Sequence, residues 1–254
     1  MRRDYIDLTR GQMHYRWAGQ GDPILLLHMS GSSSDEYEEV GNILAQHYQV
    51  FAPDFFGFGA SDRPEHYLSF EEHMMTIQEF CKKLGLVSVR VVGNLVGANI
   101  ACHLAAQYPE LVKSLALFQV CYNPDSNYYM DRRTSFSQIP ITEDGAHLKE
   151  IWARSAKYGE AADVTDGRAI CLHKAGAFGE ALHGALCEDT NFNSILEKVK
   201  TPAKIFAYRI MDVTTPEQAA AVMGNCRFEA LDATPYFARA TPHAFCEKIL
   251  EFFE

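Results

Sequence analysis

The sequence predicts an α/β fold: a mostly parallel sheet covered by helices on both faces, with a helical block inserted late in the chain. Three observations carry this. Apolar runs of strand length alternate with stretches of helical period. The runs "PILLLH" (23–28), "VSVRVVG" (87–93) and "KSLALFQVC" (113–121) include continuous apolar stretches, as strands buried on both faces would. The alternation breaks over residues 122–200, where helix-like segments occur without a convincing strand, and then resumes.

Each element has a local reason. "DYIDLTRGQMHYRWAG" reads as two strands joined at Arg10-Gly11, a hairpin signal. After "PILLLH", residues 35–47 have helical character, and "YQVFAPD" (48–54) returns as a strand. Residues 69–85 open with a capping box, Ser69 followed by Glu72, carry apolar residues at helical spacing and stop at Gly85. The strand 87–93 leads into a helix over 96–108 that Pro109 closes. "HLKEIWARSAKYG" (147–159) is the clearest helix of the inserted block. Strand, helix and strand follow at 203–209, 216–223 and 226–231, and a helix over 242–254 ends the chain. Residues 1–121 and 201–254 are expected to form the core, and 122–200 a lid over the sheet edge.

The chain has 254 residues, 47% hydrophobic, with a formal net charge of -10. That length fits one large α/β domain. The acidity disfavours nucleic acid and anionic membranes, whose phosphates would be repelled. "MRRDYIDLTRGQMHYRW" has no apolar run behind its arginines and does not read as a secretory signal. No stretch approaches the roughly 20 apolar residues of a membrane helix. Seven scattered cysteines argue against a disulfide framework and for a reducing cytoplasm. No CxxC or HxxxH pair suggests a metal, and no cofactor is expected.

The segment "VVGNLVGANIA" (91–101) raises the functional question. A strand, a turn bracketed by Gly93 and Gly97 and a small-residue helix form the setting in which a G-x-S-x-G turn presents a nucleophilic serine. Here the centre is Leu95. "PILLLHMSGSS" has the form of a strand and oxyanion loop. "FAPDFFGFGASDRP" fits D-x-x-G-x-G-x-S-D-x-P through Asp54, Gly57, Gly59, Ser61, Asp62 and Pro64. "DGAHLKEIW" matches a lid helix, and "TPAKIFAYRIMDVTTPEQA" a strand ending near a catalytic acid. On these motifs the chain resembles the α/β-hydrolase superfamily, in the branch of small lidded esterases and carbon–carbon bond hydrolases.

The resemblance implies a nucleophile, an acid and a histidine in that chain order. Leu95 stands at the nucleophile position, where a hydrocarbon cannot attack a carbonyl. Loss of the serine typically costs on the order of 10⁶-fold in turnover. Asp212 matches the acid; it either orients an imidazole or caps the following turn. In "LDATPYF" the histidine position falls on Ala233 or, in a shifted alignment, Thr234, and His243 lies further on, in the first turn of the last helix. Met29 replaces the glycine usual in the oxyanion loop, although amides near Met29, Ser30 and Val96 can still converge on a polar atom. His28 is either a base on the opposite wall or a core histidine holding the loop. Cys121 ends a strand at the sheet's carboxyl edge, where ligands usually bind, and Cys102 points away. Ser30 and Ser32 need an adjacent base before either counts as a nucleophile.

The candidate catalytic residues are therefore Asp212 and His28. The candidate ligand-binding residues are Met29, Ser30, Asn94, Leu95, Val96, Cys121 and Trp152. Tyr128, Tyr129, Phe136, Tyr158, His173, Phe178 and His183 are further residues of the inserted block that either line a pocket or bury against the core. The expected function is that of a pseudo-hydrolase binding a small apolar or amphipathic molecule, or a partner, under the lid. A homodimer is compatible with the sequence. Two alternatives stay open: non-hydrolytic chemistry such as cyclisation, isomerisation or decarboxylation in the same pocket, or hydrolysis by an unrecognised nucleophile.

Overall fold

The computed structural model describes residues 1–125 and 139–253. The chain opens with the hairpin β1 (Arg2–Leu8) and β2 (Gly11–Ala18), followed by β3 (Pro23–Leu27), α1 (Glu38–Leu44), β4 (Gln49–Pro53) and α2 (Phe70–Lys83). Next come β5 (Val89–Asn94), α3 (Val96–Gln107) and β6 (Val112–Phe118). Between β6 and β7 (Ala203–Tyr208) lie α4 (Ala146–Ser155), α5 (Ala162–Ala175), α6 (Ala177–Glu188) and α7 (Phe192–Lys198), with no strand among the described residues. The chain finishes with α8 (Thr214–Met223), β8 (Cys226–Leu231), α9 (Phe237–Ala240) and α10 (Pro242–Phe253). The sheet has eight strands in the order β1-β2-β4-β3-β5-β6-β7-β8. Strand β2 pairs antiparallel with both neighbours, and the pairs from β4 to β8 are parallel.

The apolar runs split cleanly between two layers. In β3, Leu25 and Leu27 join the core under α2, α3, α7 and α8, while Ile24 and Leu26 join the core under α1, α9 and α10. Successive side chains of a strand point to opposite faces, so a strand covered on both must be apolar throughout. Phe118 anchors the second layer, stacking on Phe206 at 4.7 Å and on Phe245 at 4.2 Å between ring centroids.

Local signals explain most element boundaries. The capping box of α2 is formed on both sides: the Ser69 hydroxyl accepts from the Glu72 amide, and the Glu72 carboxylate accepts from the Ser69 amide. The helix expected over 35–47 is divided. A single 3₁₀ turn, Ser34–Tyr37, precedes α1, because the Ser33 hydroxyl and the Asp54 carboxylate take up the amides of Asp35 and Ser34. The helix expected over 147–159 ends as α4 at Ser155, and a 3₁₀ turn carries the chain to Gly159.

The Asp54–Pro64 loop is organised by Asp54, 1% exposed. Its carboxylate accepts from the amides of Ser34 (2.6 Å) and Ala60 (2.8 Å) and pairs with His14 Nδ1 (2.8 Å). Burial alone would raise its pKa, but the hydrogen bond from His14 and the two amides bring it below the ordinary carboxylate value.

Candidate functional site

Strand β5 ends in a sharp turn at Leu95, which holds φ 50° and ψ -115° before α3 begins. A non-glycine residue with such a φ is under backbone strain. The turn is fixed from both sides: the Leu95 amide donates to Phe118 O, and the Leu95 carbonyl accepts from the amides of Ala98 and Asn99. Gly93 and Gly97 make it possible. A Cβ at Gly93 would stand 2.5 Å from Gly97 O, and one at Gly97 would stand 2.2 Å from Leu27 O. The geometry that presents a nucleophile is thus in place, with an isobutyl group at its tip.

That side chain enters an apolar cluster. Met29, Val164 and Tyr236 form its buried centre, and Leu95, Tyr158 and Ala240 pack around them. Met29 comes from the loop after β3, Tyr236 from the loop after β8, and Val164 from α5. The cluster borders a cavity of ≈ 510 Å³ between the carboxyl edge of the sheet and the helical insert. This volume lies in the usual range of small-molecule sites.

Of the candidate ligand-binding residues, Met29, Ser30, Leu95, Val96 and Cys121 line this cavity. Asn94 and Trp152 do not. Asn94 is buried behind the elbow, where its side chain donates to Pro235 O (3.0 Å) and accepts from the Tyr208 hydroxyl (3.1 Å). It therefore braces the loop after β8 instead of facing the cavity. Trp152 is 40% exposed on α4 and stands outside the lining. The Val96 amide, at the start of α3, is one of the helix's orphan donors at the cavity edge.

The candidate catalytic residues separate in the same way. Asp212 lines the cavity, but its carboxylate accepts from the amides of Thr214 (2.9 Å) and Thr215 (3.4 Å) and from the Thr215 hydroxyl. Burial opposes its charge, yet these threonine hydrogen bonds hold its pKa below the ordinary value. It caps the start of α8. His28 is fully buried and outside the cavity lining. Its Nδ1 donates to Met29 O (2.9 Å), and its Nε2 accepts from the Phe55 amide (3.0 Å). Burial pushes its pKa down to about 4, so it is a neutral ring holding two loops together.

Four other hydroxyls and thiols are committed or unreactive. The Ser30 hydroxyl donates to Gly179 O (3.0 Å), and the Thr215 hydroxyl to Asp212. Burial pushes the Cys121 thiol up to about 12, far from the thiolate form. The Cys102 thiol is fully buried in the core. At the position of the expected histidine, Thr234 donates to Glu160 and Ala233 packs on the second core layer. His243 is exposed on α10.

Several lining residues were not singled out by sequence reasoning. Arg168 on α5 is buried, and its guanidinium donates to Gly31 O and to Ser30 O (3.0 Å), tying the insert to the loop after β3. Gln119 has φ 54°; its side chain donates to Asp212 O and accepts from the Tyr208 amide, both at 2.8 Å. Nothing local in the sequence marks either. Tyr236, Arg154 and Lys157 also line the cavity. Of the aromatics and histidines considered in the insert, Tyr158 and His183 face it, and burial lowers the His183 pKa. Phe178 packs on Tyr67, and His173 on His147. Tyr128, Tyr129 and Phe136 lie outside the described residues.

No group of His, Cys, Asp and Glu able to hold a metal ion occurs among the described residues, and none of their helices is long and apolar enough to cross a membrane.

Comparison with known proteins agrees with this geometry. The family model for the alpha/beta hydrolase fold matches residues 22–132. Haloalkane dehalogenase 2 of Mycobacterium tuberculosis is 32% identical over 136 residues, which cover 53% of this chain and 46% of the relative. The match to this curated relative thus spans less than half of its length. Among solved structures, a hydrolase from Pseudomonas aeruginosa superposes with a TM-score of 0.84 at 18% identity, covering 99% of this chain and 98% of that one. The enol-lactonase from Burkholderia xenovorans gives 0.84 at 17% identity, with 98% and 99% coverage.

Proposed function

The chain is an α/β-hydrolase-fold protein with hydrolase relatives, and from that premise we propose that it is a pseudo-hydrolase: it binds a small apolar or amphipathic molecule beneath the helical insert, which acts as a lid, and does not cleave it. The carrying observation is Leu95. The strained turn survives with only aliphatic carbon at its tip, packed against the cluster of Met29 and Tyr236. Nucleophilic hydrolysis starts from a hydroxyl, thiol, amine or carboxylate, and this position offers none. Elsewhere in the lining, the Ser30 and Thr215 hydroxyls and the Asp212 carboxylate are engaged in hydrogen bonds, and the Cys121 thiol is held far from its thiolate form. In this reading Leu95, Met29, Val96 and Cys121 form the floor of the ligand site. The seven free thiols suit a reducing compartment, and we place the protein in the cytoplasm.

The test is ester turnover with a p-nitrophenyl acyl series, together with labelling by a fluorophosphonate probe. The protein is expected to show neither above the uncatalysed background. Leu95→Ser is expected to raise turnover by less than about tenfold, because a lone serine without a base remains a poor nucleophile. A rise of about a hundredfold or more from that single change would place a working base at the elbow and overturn the reading.

One observation favours a second reading. His183 lines the cavity as a ring whose pKa burial lowers, a form able to accept a proton. A non-hydrolytic isomerase or decarboxylase would use such a base. It would lose its reaction on His183→Gln, whereas a receptor would keep its affinity.

A further inference from the structure

Helix α5 borders two cavities on different faces. Arg168 and Leu172 line the one described above, whereas Ile170, Cys171 and Lys174 line a separate cleft of ≈ 430 Å³ that shares no lining residue with it. The floor of this second cleft is the β1–β2 hairpin. Arg3 stands opposite Arg16 in the antiparallel register and Tyr5 opposite His14, so these four residues share one face. Like charges directly opposite each other on neighbouring strands cost stability. Arg16 is satisfied by Glu38, Asp35 and the Ser34 hydroxyl. Arg3 makes no ion pair among the described residues, and its charge acts on Asp35 only through space. Lys174, in the last turn of α5 on the facing wall, makes none among them either. The nearby carboxylates are spent. Asp35 holds Arg16 and Arg239, Glu38 holds Arg16 and the amino terminus, and Asp54 holds His14 and two amides. His14 itself is buried in the floor; Asp54 takes its Nδ1, and its Nε2 has no hydrogen-bond partner among the described residues.

The geometry points to a second binding site in this cleft, for a small phosphate monoester: Arg3 and Lys174 hold the phosphate from two sides above the His14 ring, and Tyr5 and Ile170 flank the organic group. The charge count selects the class. A phosphate monoester carries roughly two negative charges at pH 7, one for each of these cations, whereas a carboxylate carries one. Tyr5 and Ile170 are large apolar side chains left half-exposed at the cleft, which suits an organic substituent better than bare inorganic phosphate. Positive charge grouped in a cleft also concentrates anions that the acidic surface elsewhere, with its formal net charge of -10, repels. This site stands independently of the pseudo-hydrolase reading, since it draws on none of the residues of the first cavity.

The probes are phenyl phosphate, benzoate and phenol, which share a phenyl ring and differ in charge. Titration followed through backbone amide shifts is expected to move Tyr5, Ala60 and Ile170 with phenyl phosphate and to leave Leu95 and Val96 in place. At low salt phenyl phosphate should bind about tenfold tighter than phenol, the size of two exposed charge contacts, with benzoate between them. The double variant Arg3→Met with Lys174→Met is expected to abolish that preference, and raising the salt should weaken it in the parent protein. Both side chains are exposed, so the fold tolerates their loss, and each single variant should lose part of the preference. Cys121→Trp, which fills the first cavity, should change none of these results. The inference is overturned by the absence of phenyl phosphate binding, by benzoate binding as tightly, or by a preference that survives the double variant. Amide shifts gathered at Leu95 and Val96, or binding lost in Cys121→Trp, would place the phosphate in the first cavity and overturn it equally.

Discussion

Leu95 holds a backbone conformation that costs on the order of 1–3 kcal/mol. Burying a leucine side chain returns about 1.5–3 kcal/mol when complete. The contacts with Met29 and Tyr236 therefore offset much of the strain. The residue before it is more consequential for stability. Asn94 links Pro235 O and the Tyr208 hydroxyl in a site 1% exposed. Asn94→Leu leaves both partners buried without a hydrogen bond, at a cost of about 2–3 kcal/mol. The expected drop in Tm is about 5–10 °C for a chain of this size. Tyr208→Phe removes one bond of the same brace and should lower Tm by less than half as much. Thermal unfolding followed by circular dichroism checks both. The sequence marked Asn94 as a ligand contact because it adjoins the elbow. Its rotamer, which turns it toward a loop 141 residues away, has no local signature.

At the scale of elements, the contact of β3 with α3 depends on one missing side chain. A Cβ at Gly97 would meet Leu27 O at 2.2 Å and His28 O at 2.7 Å, both backbone atoms that cannot swing aside. Gly97→Ala is expected to destabilise the protein by more than about 4 kcal/mol, among the largest effects of a single substitution. Gly85→Ala is the control. Gly85 has φ 70° with open space around it, so only the left-handed backbone penalty of about 1–2 kcal/mol applies. Urea midpoints with unchanged slopes would measure both. Helix α2 was legible in the sequence to within two residues because its cap, its apolar period and its stop are all local. Helix α5 was not legible as a face. It buries Arg168 and Thr165 beside Ala169 and Leu172, so no clean apolar stripe marks the side toward the cavity.

For the molecule as a whole, two buried histidines set the response to acid. Burial pushes His28 down to about 4 and His73 to about 3, from an ordinary value of 6.5. Both are neutral when folded, and in the unfolded chain both take up protons below about pH 6.5. Their contribution is fully present above pH 6.5 and is lost progressively as the pH falls toward their folded values. At about 1.4 kcal/mol per unit, the two together weaken the fold by on the order of 5 kcal/mol between pH 6.5 and pH 4. Asp54, with its lowered pKa, adds a further loss in the same direction below its unfolded value near 3.8. Denaturation followed from pH 7.5 to pH 4 should therefore show a steep fall in stability. A His73→Phe variant should flatten it, and a flat parent profile would refute the assignment.

The sequence by itself determined the parallel sheet, the turn at Leu95 and the lack of a reactive atom at its tip. Those depend on atomic composition and on patterns contained within a few residues. Only the tertiary structure decided which candidates meet. It withdrew His28 into the core, turned Asn94 behind the elbow, left Trp152 outside the cavity and closed the carboxylate of Asp212 onto the start of α8. It also brought Arg168 onto Ser30 across 138 residues, and Met29 and Tyr236 onto Leu95. Convergence of this kind is a property of packed elements far apart in the chain, so no local stretch carries a sign of it.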